Sequence, residues 1–81
     1  MHYVVGGSNK RFSSIIQARK YAVFRFENGQ ARDTITTVYK VYSYAALPIG
    51  AVHELPDGRL YWFENGKRLR KLNRDGTLKR K

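Results

Sequence analysis

Apolar residues between positions 15 and 26 recur every three or four places, which predicts an amphipathic helix with one broad buried stripe. Arg19 lies in the middle of that stripe, where its side chain would have to extend past its neighbours to reach water. We therefore expect the helix to pack on the core through this side. The stripe consists of Ile15, Ile16, Ala18, Ala22, Val23 and Phe26.

The residues that flank this stretch indicate where the helix begins and ends. Ser13 and Ser14 both suit the capping position, and Gln17 follows Ser14 at the spacing of a capping box. Gly29, directly after Asn28, suits the left-handed position that closes a helix. We therefore predict a helix that starts near Ser14 and continues to about residue 25.

The second half of this segment has an alternative interpretation. The four residues Phe-Glu-Asn-Gly occur at 26–29 and again at 63–66, and Asn-Gly between apolar runs is a strong hairpin signal. Residues 21–29 therefore either end the helix or form a hairpin. We favour the helix because the serine cap and the helical stripe agree.

The rest of the chain predicts strands that are separated by turns. Residues 2–5 form a short strand, and residues 34–44 are rich in the Thr, Val, Ile and Tyr typical of strands. Residues 45–50, which include a proline, are expected to be a connection. The last part of the chain is a predicted meander, with turn signals at 56–58, 65–66 and 75–76.

The resulting order of elements is β-α-β-β-β-β, which belongs to the α+β class: an antiparallel sheet with one helix packed on one face. We expect a single domain over residues 1–78 and a basic tail at 79–81. A chain of 81 residues has a thin core. If residues 34–44 formed a sheet edge, two such edges could pair into a homodimer and enlarge that core.

The Asn-Gly turn at 65–66 predicts how the strands around it pair. A two-residue loop places Trp62 opposite Leu69 and Tyr61 opposite Arg70. Because the faces of a strand alternate, every side chain of the hairpin is then assigned to one face of the sheet. The predicted core face carries Val52, Leu60, Trp62 and Leu69, and it ends in an ion pair between Glu64 and Lys67.

The opposite face of the predicted hairpin combines aromatic rings with arginines. Arginine neutralises phosphates and stacks on bases, and Tyr and Phe rings accept unpaired bases, so this face has the composition of a nucleic-acid surface. The rings could equally be structural, with the arginines lying over them. With the basic residues that extend it, the predicted binding site consists of Arg59, Tyr61, Phe63, Lys67, Arg68, Arg70, Lys71 and Arg74.

The charge of the chain favours a polyanionic partner. The formal net charge is +10, and residues 59–81 alone contain nine basic and two acidic residues. Such an excess costs stability through self-repulsion and is typical of proteins that bind polyanions. We therefore predict a non-enzymatic nucleic-acid-binding module, for DNA or RNA. The alternative is an interaction protein, such as a phage accessory protein or inhibitor, that docks on an acidic protein.

A small endoribonuclease is the third hypothesis. His53, Tyr61 and Arg70 would lie in a row across three strands, with His53 or Tyr61 as the general base and Arg70 stabilising the phosphorane. Apposition alone is weak support for catalysis, and no phosphate-binding or dinucleotide glycine motif occurs.

The remaining composition narrows the classes further. The chain has no cysteine and only two histidines, so we expect no disulfide, no metal site and no cofactor. No apolar run approaches the roughly 20 residues that span a bilayer, and no secretory signal is visible. We expect a cytoplasmic domain that has no contact with membranes.

Overall fold

The computed structural model describes residues 1–64, 67 and 69–79, which form one helix packed on an antiparallel sheet. The α+β class predicted from the sequence is confirmed. In the described residues the sheet has six strands in the order β2-β1-β3-β4-β5-β6. The elements are β1 (His2–Val5), β2 (Arg11–Phe12), α1 (Ile15–Glu27), β3 (Ile35–Val41), β4 (Ala46–Glu54), β5 (Leu60–Phe63) and β6 (Arg70–Lys71).

Helix α1 forms where its caps predicted it. The backbone N–H of Gln17 donates to Ser14 Oγ over 3.1 Å, and Ser14 has extended backbone angles, as a capping residue should. At the other end the helix runs to Glu27, and Gly29 has a φ of +67°. The helix is confirmed for residues 21–27, and the hairpin alternative is wrong. No helix in the described part of the chain combines the length and apolar character needed to cross a membrane.

The core lies between α1 and one face of the sheet. Trp62, predicted to be central, is 2% exposed, and Val52 lies directly opposite it on β4, as predicted. Gly50 lies beneath the indole, because a Cβ at this position would overlap Cζ2 of Trp62. The buried apolar residues are Val5, Ala18, Ala22, Val23, Val38, Val52, Trp62 and Leu72.

Two residues of the predicted helical stripe behave differently from the expectation. Ile16 is 44% exposed, so its assignment to the buried side is wrong. Arg19 does not extend out to water: it is 7% exposed, and its guanidinium carbon lies 5.0 Å from the centre of the Trp62 ring. Its Nε has no hydrogen-bond partner, and burial lowers the pKa of Arg19. The cation–π contact with Trp62 offsets part of the lost hydration.

The expected connection at 45–50 is wrong, because most of it belongs to β4. The strand tolerates Pro48 at a register shift: Val38 pairs with Gly50, whereas Tyr39 already pairs with Pro48. Only residues 51–54 of β4 pair with β5, so the proline lies where the strand has a single partner among the described strands. Proline is accepted at bulges and strand edges of this kind.

The sheet edge considered for residues 34–44, as a route to a homodimer, does not lie there. Strand β3 lies between β1 and β4 and pairs with both. In the described part of the sheet, the edge strands are β2 and β6, each of two residues. Short edges of this type resist pairing with a second sheet.

The predicted register of the β5–β6 hairpin is wrong by one residue. Trp62 pairs with Arg70, and Tyr61 pairs with Lys71. The turn closes through the N–H of Lys67, which donates to the carbonyl of Glu64 over 2.9 Å. A shift of one residue exchanges the two faces, so Leu69, predicted to lie in the core, is 46% exposed. Turn residues 65–66 themselves lie outside the described residues.

The other two predicted turns are confirmed. Gly58 has a φ of +85°, and its N–H donates to the carbonyl of Leu55 over 2.8 Å. Gly76 has a φ of +89°, and a Cβ there would overlap the Ile16 carbonyl of α1, so this turn packs closely on the helix. Of the predicted tail, the backbone N–H of Lys79 donates to the carbonyl of Lys71 over 2.8 Å, and residues 80–81 lie outside the described residues.

Candidate nucleic-acid interface

The sheet face that α1 leaves uncovered carries the candidate site, and we call it the open sheet face. Its residues are those that alternate along each strand with the buried ones. Cross-strand pairing places Ile35, His53, Tyr61 and Lys71 in one row across β3 to β6. The open sheet face includes His2, Val4, Arg11, Ile35, Thr37, Tyr39, Val41, Ala51, His53, Tyr61, Phe63 and Lys71.

Aromatic rings occupy the β4–β5 part of this face. The ring centres of His53 and Phe63 are 5.6 Å apart and their planes are tilted by 56°. Tyr61 lies directly opposite His53, as predicted, and precedes Phe63 by two residues on the same strand. Phe63 is 38% exposed, and its cross-strand neighbour is the small Ala51. The face therefore offers rings that a flat ligand can reach.

Two cations flank these rings at opposite edges of the sheet. Lys71 lies on β6 opposite Tyr61, and Arg11 lies on β2 opposite Val4, on the same face. The ion pairs found among the described residues involve neither cation. Both charges are therefore available to an anion that crosses the face.

The structure separates the site predicted from the sequence into three groups. Tyr61, Phe63 and Lys71 share the open sheet face. Arg70 lies on the helix side, opposite Trp62, and its guanidinium donates to the carbonyl of Lys79 over 3.3 Å. Its assignment to the aromatic face is therefore wrong. Arg68 lies outside the described residues.

The third group consists of basic residues that already have acidic partners. Arg59 Nε lies 3.4 Å from Asp57 Oδ2, and Lys67 Nζ lies 3.0 Å from Glu64 Oε2, as the sequence predicted for that pair. Arg74 contacts Glu27 of α1, with 2.8 Å between Arg74 Nε and Glu27 Oε2. Exposed pairs of this kind contribute about 0–1 kcal/mol, so a phosphate can displace the carboxylate at little cost.

Glu64 fixes the end of β5 through two hydrogen-bonded contacts. Trp62 Nε1 donates to Glu64 Oε1 over 3.0 Å, and Lys67 binds the other oxygen. The bond from Trp62, followed by that from Lys67, lowers the pKa of Glu64. The carboxylate therefore connects the buried indole to the tip of the hairpin and holds Lys67 there.

The row of three residues predicted for an endoribonuclease differs in its third residue. His53 and Tyr61 are adjacent, but Lys71 rather than Arg70 completes the row. The bidentate guanidinium that was to stabilise a phosphorane is therefore on the other face of the sheet. Among the described residues, no group of three or more His, Asp or Glu side chains is arranged to hold a metal ion.

Sequence reasoning missed the β1–β3 part of the open sheet face, which contains Arg11, Tyr39 and Ile35. Val38 is fully buried, and successive side chains of a strand point to opposite faces. Tyr39, the next residue of β3, therefore lies on the open sheet face. Hydrophobic alternation over residues 35–41 favours the opposite assignment of faces, because Ile35, Tyr39 and Val41 form the more apolar set. Arg11 was not predictable either, because β2 has only two residues and no strand signal.

The fold and this surface define a small, basic α+β domain with one aromatic sheet face open to solvent. Comparison with protein-family models, with curated proteins and with solved structures found no match.

Proposed function

We propose that this protein is a non-enzymatic module that binds single-stranded nucleic acid on its open sheet face. The observation that carries the proposal is the row of His53, Tyr61 and Lys71, with Phe63 beside it, on the uncovered face of a domain of charge +10. Exposed aromatics on a sheet can stack unpaired bases, and a neighbouring cation can contact the phosphate between them.

The spacing of the rings favours a single strand over a duplex. Tyr61 and Phe63 are two residues apart on one strand, which corresponds to about 6.6 Å. Stacked bases in a duplex are about 3.4 Å apart, so two bases that lie on these rings cannot also stack on each other. A single strand can separate its bases in this way, whereas a duplex offers only phosphates and groove edges.

The charges support a contact mainly with the backbone. Lys71 and Arg11 flank the rings, and Arg59 and Lys67 lie at the two ends of β5, each in an exposed ion pair. A strand that crosses the face would meet Lys71 and Arg11, which lie on it at opposite edges of the sheet. Because each neutralised phosphate releases condensed counterions, binding should weaken steeply with salt.

The test is a fluorescence anisotropy titration of labelled oligo-dT, single-stranded and annealed to oligo-dA, at several salt concentrations. We expect a log–log salt slope of about −0.7 per phosphate contact on the single strand. Tyr61→Ala and Phe63→Ala should each lose about 1–3 kcal/mol of single-strand binding and much less on the duplex. A slope near zero, or folded aromatic variants that bind normally, would exclude the proposal.

A further inference from the structure

A second aromatic surface lies on the helix side of the molecule, away from the open sheet face. We call it the α1–β2 groove, because its residues come from α1, β2 and the loop before β2. The groove has a volume of about 460 Å³. It is lined by Lys10, Phe12, Gln17, Lys20, Tyr21 and Phe24.

The rings of this groove form a continuous apolar wall. The ring centres of Phe12 and Tyr21 are 5.3 Å apart, and those of Tyr21 and Phe24 are 6.2 Å apart. Phe24 is 49% exposed although it belongs to a 13-residue helix whose other side packs on the core. An exposed ring at the rim of an apolar groove is typical of an interaction site, since the core gains nothing from it.

The charge at the groove indicates what occupies it. The charged side chains that line it are Lys10 and Lys20, whereas the acidic Glu27 and Asp75 line the adjoining depression that shares Lys20 and Phe24. A second copy of the chain would bring two such pairs of lysines together and would also carry a net charge of +10. Self-association through this surface is therefore opposed, whereas a segment that carries carboxylates is attracted.

The ring geometry disfavours bases as the occupant. Lys10 Nζ lies 5.1 Å from the centre of the Tyr21 ring, so an ammonium already occupies that aromatic face. The Phe12 ring also packs against Tyr21, with their planes tilted by 38°. An aliphatic or aromatic side chain can enter such a groove from its open side, whereas a stacking base needs a free ring face.

We infer that the α1–β2 groove docks an acidic segment of a partner protein that inserts a large apolar side chain beside Phe24. Lys10 and Lys20 then pair with carboxylates on either side of the inserted residue. This contact is independent of the nucleic-acid proposal, because it uses the opposite side of the molecule and a different set of residues.

The test uses the full chain and a labelled synthetic peptide in which Glu alternates with Leu, with a Gln-Leu peptide as the neutral control. Matched variants separate the two surfaces: Phe24→Ala and Lys20→Glu alter the groove, whereas Phe63→Ala and Lys71→Glu alter the open sheet face. We expect Phe24→Ala to weaken the acidic peptide about tenfold or more and to leave oligo-dT binding unchanged. Phe63→Ala should weaken oligo-dT binding and leave binding of the acidic peptide unchanged.

Several results would overturn this inference while leaving the nucleic-acid proposal intact. These are no binding of the Glu-Leu peptide, equal binding of the Gln-Leu peptide, or normal peptide binding by a folded Phe24→Ala protein. A dimer in sedimentation that Phe24→Ala dissociates would assign the groove to a second copy instead. Should Phe24→Ala fail to fold, Lys20→Glu decides the question, since Lys20 is exposed and its reversal must repel the acidic peptide. A loss of oligo-dT binding in Lys20→Glu as large as that in Lys71→Glu, which changes the net charge equally, would contradict the separation of the two surfaces.

Discussion

Tyr61 and Trp62 are neighbours in β5, yet they belong to opposite surfaces with different tasks. Trp62 is 2% exposed, with Arg19 over its ring and Gly50 beneath it. Tyr61 lies on the open sheet face between His53 and Lys71. The comparison shows that the apolar side chains of one strand differ in role. Those under the helix stabilise the fold, whereas those on the other face remain available to a ligand.

This division follows from the size of the domain. A single helix of 13 residues can cover one face of the sheet, and the described chain contains no second layer for the other face. Large apolar residues on an uncovered face cost solvation without adding to the core. This cost supports the proposal that the rings of the open sheet face bind a ligand.

The largest expected effect separates the two neighbours by stability. Trp62→Ala should lower the free energy of unfolding by about 3–5 kcal/mol, because it removes the largest buried side chain. Tyr61→Ala should lower it by about 1 kcal/mol or less, as for other surface changes. Urea denaturation followed by circular dichroism measures both. Equal losses for the two variants would contradict the assignment of the faces.

A second comparison uses the adjacent residues Gly50 and Ala51 of β4. Gly50→Ala should cost about 1–3 kcal/mol, because the new Cβ overlaps the Trp62 indole, which must move. Ala51→Ser, on the open sheet face, serves as the control and should change the free energy of unfolding by about 0.5 kcal/mol or less. If Gly50→Ala melted like the wild-type protein, the indole would not lie over Gly50.

The register of the hairpin gives a third test, now on binding. Lys71→Ala should flatten the salt slope of oligo-dT binding by about 0.7, because Lys71 lies on the open sheet face. Arg70→Ala should leave the slope nearly unchanged, since Arg70 lies on the helix side. If Arg70→Ala flattened the slope and Lys71→Ala did not, the register predicted for a two-residue loop would be right, and the pairing of Trp62 with Arg70 would be wrong.

The helix and the β5–β6 hairpin show what the sequence could and could not predict. The helix was predictable because the Ser14 cap and the stripe are local signals, and the burial of Trp62 followed from its pairing with Val52. The pairing of β5 with β6 was not, because an Asn-Gly dipeptide favours a short loop without fixing its length. The shift of one residue in register moved Arg70 off the predicted site and left Lys71 in its place.

Long-range contacts account for the other differences. Pro48 indicated a break, but a strand with a single partner at that point has no need of the missing N–H. Arg19 was expected in water because its stacking partner, Trp62, lies far along the chain. For the candidate site, the aromatic core of Tyr61, Phe63 and His53 was predicted, whereas the cations around it depended on the register.

The smallest expected effect concerns Glu64, which joins the buried Trp62 to the hairpin tip. Its pKa is lowered in the folded protein, chiefly by the hydrogen bond from Trp62 Nε1, so ionised Glu64 stabilises the fold above its unfolded pKa. That contribution is lost as the pH falls through the folded pKa.

Because the carboxylate is partly exposed, we expect about 1 kcal/mol or less. Glu64→Gln should therefore show a smaller loss of stability than the wild-type protein between neutral and acidic pH, as measured by urea denaturation at each pH. The matched control is Asp57→Asn, because among the described residues the Asp57 carboxylate pairs with the exposed Arg59 side chain and with the backbone N–H of Arg59. If Glu64→Gln kept the full acid dependence of the wild-type protein, the carboxylate would not contribute to the link between the indole and the hairpin.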